Sequence, residues 1–157
     1  MVLATLVRDF RPYETAFQIS PDAEIATIVR AFVGSPALHH VCVVDPEGRL
    51  LGLVNRKRLF KSIFSHNVAA DSRVSRLLQL HTAETSGDIM ITDIITAGED
   101  EAIDTVISKM IEKNIRELPV LDDSGKVIGF LSLLMLMQKW LAAREETGGA
   151  ADFSEVD

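Results

Sequence analysis

Residues 118–141 run as apolar and polar blocks of definite length: LPVL, the polar break DDSG, a second apolar run VIGFL, and a helical pattern opened by Ser132. An apolar run, a break rich in Asp, Ser and Gly, and a second apolar run predict a β-hairpin, and a serine ahead of the next apolar stretch predicts a helix start. The pattern is therefore strand, tight turn, strand, capped helix.

The pattern occurs twice. Residues 41–64 read VCVVDPEGRLLGLVNRKRLFKSIF, and a shift of 77 lays Asp45, Gly48, Gly52 and Asn55 on Asp122, Gly125, Gly129 and Ser132. Leu59, Phe60, Ile63 and Phe64 fall on Leu136, Met137, Trp140 and Leu141, which predicts the same inward stripe on both helices. Turn glycines and apolar positions are independent constraints, so their joint recurrence marks an internal duplication.

The duplication extends upstream. Residues 17–19 read as a short strand, and Asp22 is expected to cap a helix whose Ile25, Ile28, Val29 and Phe32 share one face. Gly34 and Pro36 end it. At a shift of 78, Asp100 is the matching cap and Ile103, Val106, Ile107 and Met110 the matching stripe. The second copy thus loses one residue between helix and hairpin, a loop change that repeats tolerate. Each copy reads strand, helix, strand, strand, helix. Nearly continuous apolar strands (41–44 and 50–54) predict sheets covered on both faces.

The apportionment of the chain follows: 1–64 for the first repeat, 65–87 for a helical linker, 88–143 for the second repeat, and an acidic tail over 144–157 expected to be disordered. The linker assignment rests on Val74, Leu77, Leu78 and His81 at helical spacing, with His81 read as a packed or rim histidine.

Composition narrows the chemistry. A net charge of −7 argues against wholesale binding of nucleic acid or an anionic membrane, so any anion site must be a local cluster. The single cysteine, Cys42, lies in a strand pattern and reads as a small buried hydrophobe in a reducing cytoplasm. The first residues lack the basic start of a secretory signal, and 127–143 is too short and too polar for a membrane span. A cytoplasmic, soluble protein is expected.

Two copies of strand, amphipathic helix and D-x-x-G-x-h-h-G-h-h running into a helix resemble a tandem pair of CBS domains, the module named after cystathionine β-synthase. Leu118-Pro119-Val120 is similar to the family's frequent L-P-V, and Asp88-Ile89-Met90 to the lead-in that commonly precedes a copy. The resemblance covers about residues 7–143. It implies an α/β (α+β) fold in which two βαββα repeats pack pseudo-twofold around small mixed sheets, with a linker helix between them. It also implies clefts that bind adenosine compounds such as AMP, ADP, ATP or S-adenosylmethionine, and a homodimer formed through helices. A partner then reads the shift in orientation that binding causes.

The ligand residues follow residue by residue. The family places Ser or Thr after the second G-h-h, near phosphate, and an Asp three residues on, at ribose. Here Asn55-Arg56-Lys57-Arg58 and Ser132-Leu133-Leu134-Met135 stand there, so both copies lack that Asp. Cations in a first helical turn oppose the macrodipole unless an anion is present. Asn55, Arg56 and Arg58 are accordingly one candidate anion pocket, joined by His40; a solvated basic face is the other reading. His39 and His40 point to opposite sides of a strand, so at most one faces a given cleft, and they make no metal pair. The second-repeat cleft residues are Thr96, Arg116, Pro119 and Ser132, with Glu117 in the place of His40; those of the first-repeat cleft are Gln18, Ile19 and Val41.

Leu133, Leu134 and Met135 replace the basic triplet in the second copy and leave that helix apolar nearly all round, which predicts an interface. No nucleophile elbow, P-loop, G-x-G-x-x-G or H-E-x-x-H motif occurs, so no catalytic residues and no metal site are expected. The expected function is a non-enzymatic regulatory module that senses an adenosine-type ligand in the inter-repeat cleft and relays the change to an effector protein. The alternative is a dimeric interaction module without nucleotide binding.

Overall fold

The computed structural model describes residues 5–64 and 84–148. The expected linker positions 65–83, His81 included, and the tail beyond 148 lie outside the described residues. The elements are β1 (Phe17–Ile19), α1 (Ile25–Gly34), β2 (His40–Val44), β3 (Leu50–Asn55), α2 (Arg56–Phe64), α3 (Ser86–Ile89), β4 (Ala97–Gly98), α4 (Ile103–Lys113), β5 (Glu117–Leu121), β6 (Val127–Ser132) and α5 (Leu133–Gly148). The α/β class and the two mixed sheets are as expected. β1 pairs parallel with β2 and β2 antiparallel with β3, while β4, β5 and β6 repeat that order.

The hairpin turns are built alike. One carboxylate oxygen of Asp45 accepts from the N–H groups of Glu47 and Arg49, and one of Asp122 accepts from those of Ser124 and Lys126. Gly48 and Gly125 then take φ of +88° and +85°, where a side chain is strained. The two tips also bond to each other, Leu50 N–H to the Gly125 carbonyl and Val127 N–H to that of Gly48.

Each sheet is covered on both faces. Val41, Val43 and Val54 pack against Ile28, Phe32, Leu59 and Ile89; Val120 and Leu131 pack against Ile103, Val106 and Met110. Between the sheets lies a third cluster of Cys42, Leu53, Val127 and Phe130. Cys42 is fully buried, as its strand position predicts.

The lead-in segments cross over. Glu14 exchanges backbone hydrogen bonds with Phe130 of the second hairpin, and Ile91 does so with Leu53 of the first. A 3-10 turn, Val7–Phe10, buries Val7 and Phe10 in the second core, and α3 buries Ile89 in the first. Each half of the sequence therefore completes the core of the other.

This exchange corrects the helix caps. α1 and α4 begin at Ile25 and Ile103, after Glu24 and Ala102, and no side chain caps either helix. Asp22 sits in a turn on the Ser20 hydroxyl and Asp100 pairs with Arg8. Glu24 and Ala102 instead bridge to Thr85 and Leu6 of the opposite lead-ins, and the Thr5 carbonyl accepts the first N–H of α4. A strand-like partner at the helix start takes the place of the carboxylate cap.

The expected inward stripes are also corrected. On α2, Leu59 and Ile63 face the core while Phe60 and Phe64 are exposed, their rings in contact at a tilt of 42°. On α5, Met135 and Leu136 reach the core, whereas Met137, Trp140 and Leu141 are exposed. α5 has 16 residues, about 24 Å of helix; its first turn packs through Met135 and Leu136, Lys139 reaches the Asp9 carbonyl and the Phe10 ring, and most of the remainder is exposed. It runs to Gly148, through the start of the expected tail.

Candidate functional site

A cleft of about 190 Å³ opens between the repeats, at the sheet ends opposite the joined hairpin tips. His40, Leu53 and Asn55 line it from the first repeat; Ile91, Asp93, Ile94, Ile95, Ile115, Glu117 and Pro119 line it from the second. The crossing lead-in is what brings Ile91 to Ile95 against the first hairpin.

Register explains the polar groups. His40 pairs with Asn55, and Glu117 with Ser132, at equivalent ends of the two sheets. The pseudo-twofold packing then sets His40 against Glu117, with Nδ1 and Oε1 2.7 Å apart. The His40 ring stacks on Phe130, centroids 5.9 Å apart. Glu117 is nearly enclosed, its side chain 10 % exposed. Its charge, after burial, is the second cause that pushes the Cys42 thiol up to about 12, so that thiol stays protonated and unreactive. The sequence placed His40 and Glu117 in separate clefts; the fold makes them partners.

The helix-start residues turn inward to the protein. Asn55 Oδ1 accepts from the Arg58 N–H, capping α2, and Ser132 Oγ accepts from the Met135 N–H, capping α5, while donating to Glu14. Arg56 donates to the carbonyls of Pro36 and Leu38, just past the end of α1, and Arg58 to that of Ile89, the last residue of α3. Carbonyls just past α1 and at the end of α3 thus supply the negative partner for cations that the α2 dipole opposes. Neither arginine lines the cleft.

The other candidates scatter. Pro119 lines the cleft; Thr96 lines a neighbouring depression of about 390 Å³ with Lys109 and Lys113. Arg116 is exposed, and its carbonyl accepts from the Leu133 N–H. Gln18 is exposed, Ile19 packs on the first core, and Val41 is fully buried behind the sheet. Leu133 and Leu134 are exposed, as an interface requires, while Met135 packs inward. His39 is exposed. The isoleucine wall was missed, because 91–95 becomes cleft lining only through the crossover.

A further polar cluster locks the first lead-in to the second repeat. Glu99 accepts from Arg11 and from the Tyr13 hydroxyl, and these bonds hold its carboxyl below the usual range. Burial first, and Glu99 next, push the Tyr13 phenol up to about 12. Glu101 is also lowered: burial pushes it up, but the Lys109 ammonium and the Gly98 N–H together outweigh that. Among the described residues no group of three or more His, Cys, Asp or Glu side chains can hold a metal ion. No described helix is long and apolar enough to cross a membrane.

The CBS domain family model matches residues 7–65 and 87–141. Among solved structures, the CBS domain pair of protein MJ0100, in complex with 5′-methylthioadenosine and S-adenosyl-L-methionine, is 26% identical with a TM-score of 0.62, covering 88% of this chain and 98% of that one. CBSX2, a CBS-pair protein from Arabidopsis thaliana solved with AMP, is 20% identical with a TM-score of 0.70, covering 90% and 99%. Curated relatives include a homoserine O-acetyltransferase of Methanococcus vannielii, 34% identical over 62% of this chain and 18% of its own length. An L-aspartate semialdehyde sulfurtransferase of Methanocaldococcus jannaschii is 30% identical over 60% of this chain and 16% of its own. The chain spans less than a fifth of either enzyme. With both repeats matched and the paired fold observed, this chain belongs to the CBS domain family and is a tandem CBS pair.

Proposed function

We propose that the chain is a non-enzymatic regulatory module that binds an adenosine-type ligand in the cleft between its repeats and relays the change to a partner protein. The observation that carries this reading is the cleft itself, because its lining comes from both repeats. A ligand there contacts both at once, and its binding energy can bias their relative orientation. A planar base suits the wall of Ile91, Ile94, Ile95 and Ile115, while His40, Asn55 and Glu117 offer polar contacts at one end.

We extend the reading to a homodimer through the exposed apolar faces of α2 and α5, where Phe60, Phe64, Leu133, Leu134, Met137 and Trp140 are all exposed. Sedimentation of the purified chain is expected to give a dimer, and Leu134→Glu with Trp140→Glu a monomer; a wild-type monomer rejects this extension.

A second reading, an interaction module that binds no nucleotide, is favoured by Arg56 and Arg58, both committed to backbone carbonyls. Thermal shift with AMP, ADP, ATP and S-adenosylmethionine separates the two. At a hundredfold excess over its dissociation constant a ligand adds about 2.7 kcal/mol, which raises Tm by several degrees at roughly 2–4 °C per kcal/mol. A flat response across the panel supports the second reading and rejects the first.

A further inference from the structure

We infer that the cleft selects its adenosine ligand by charge, accepting a cationic or uncharged tail and turning phosphates away, with Glu117 and Asp93 as the specificity-determining residues. The inference rests on the ligand-binding reading above and adds a selection rule to it. Among the described residues two carboxylates, Glu117 and Asp93, line the cleft, and no lysine or arginine does. His40, the one basic side chain that the described residues give the lining, already bonds Glu117 through Nδ1. Arg56 and Arg58, at the start of α2, are drawn away by the carbonyls of Pro36, Leu38 and Ile89, and Lys109, which with Lys113 lines the adjoining depression rather than the cleft, is paired with Glu101.

The surroundings amplify the effect. Glu117 is nearly enclosed, and four isoleucines, Leu53 and Pro119 form the apolar part of the wall, so a charge beside Glu117 is screened less than one at the open surface. The negative field of Glu117 is felt within the protein, since it adds to burial in holding the Cys42 thiol protonated. A phosphate in this place meets like charge with no arginine among the described lining residues to offset it, whereas a sulfonium or ammonium tail meets Glu117 and Asp93 as partners.

Calorimetric titration of the whole chain with S-adenosylmethionine, 5′-methylthioadenosine, AMP and ATP tests the rule. The wild type is expected to bind the sulfonium and the neutral thioether at least tenfold more tightly than AMP, and ATP most weakly. Glu117→Gln, which keeps a hydrogen-bonding group for His40, and Asp93→Asn, at an exposed position, are each expected to move the AMP-to-thioether affinity ratio several-fold toward AMP. A variant that merely disturbs the fold weakens both ligands together and leaves that ratio unchanged, so an unchanged ratio overturns the inference. AMP or ATP binding the wild type more tightly than the thioether overturns it too, while leaving the cleft reading intact. No binding by any of the four compounds rejects the cleft reading and the selection rule with it.

Discussion

The helix starts after β3 and after β6 begin alike and diverge within one turn. Both sheets end in a polar residue that caps the next helix, Asn55 in one and Ser132 in the other. The first then places Arg56, Lys57 and Arg58 where the second places Leu133, Leu134 and Met135. Its arginines fold back on carbonyls and tie α2 to the α1 exit and to α3, whereas Leu133 and Leu134 stay exposed. One scaffold thus carries a helix whose first turn is tied to the protein and one whose first turn leaves two leucines exposed. Duplication preserves the turn and the cap, and the three residues that follow decide what the helix does.

The crossover of the lead-ins gives the sharpest test of that symmetry. Phe10→Ala is expected to cost about 4 kcal/mol and Ile89→Ala about 3 kcal/mol, as large apolar side chains removed from packed cores. Hydrogen exchange should show Phe10→Ala loosening α4 and β5, far along the chain, and Ile89→Ala loosening β2 and α1. Loss confined to each mutation's own half of the sequence would break the comparison.

Next in size are the paired glycines. A Cβ at Gly129 would lie 2.5 Å from Tyr13 Cβ and 2.9 Å from the Glu14 carbonyl, at φ +151°. Gly129→Ala should cost about 3 kcal/mol from overpacking and backbone strain together. At Gly52 a Cβ would lie 2.6 Å from Met90 Sδ, which can swing aside, and 2.8 Å from Met90 Cβ, which moves only with its backbone; with no left-handed φ to add strain, Gly52→Ala should cost about 2 kcal/mol. Denaturant melts of the two variants check the difference, and equal losses would contradict it.

The caps come lower. Asn55→Ala and Ser132→Ala should each cost about 1 kcal/mol in the same melts, the usual loss on removing an N-cap. A neutral result at either would mean that the cap is not shared between the repeats.

The smallest expected effect is with pH. The carboxyls of Glu99 and Glu101 are depressed in the folded chain, so their contribution is present above the ordinary value of 4.5 and is lost as pH falls through their lowered values. Glu99→Gln should flatten the acid limb of the stability profile below that value and leave the neutral limb's slope unchanged. An acid limb as steep as the wild type's would show that the Arg11–Glu99–Tyr13 cluster is not the source.

Much of this fold was legible in the sequence because its signals are local. The Asp and Gly of each turn, and the spacing of Ile25, Ile28 and Phe32, act within a few residues of themselves. What escaped is non-local. Nothing near Glu14 announces Phe130 as its partner, and nothing near His40 announces Glu117. The carbonyls that hold Arg56 and Arg58 have no sequence signature, since every residue carries one. Superposing the repeats also transferred positions without burial: Phe60 and Phe64 are exposed, as are their matches Met137 and Leu141, because only one or two residues per turn reach the sheet.

The occupied cleft is the claim on which the functional account stands, and methyl spectra of the isoleucine-labelled chain titrated with 5′-methylthioadenosine test it most directly. Saturable shifts at Ile91, Ile94, Ile95 and Ile115, with Ile28 and Ile103 in the helix-side cores unmoved, are the predicted result. Spectra unchanged at saturating compound, or shifts confined to the helix-side isoleucines, would contradict it.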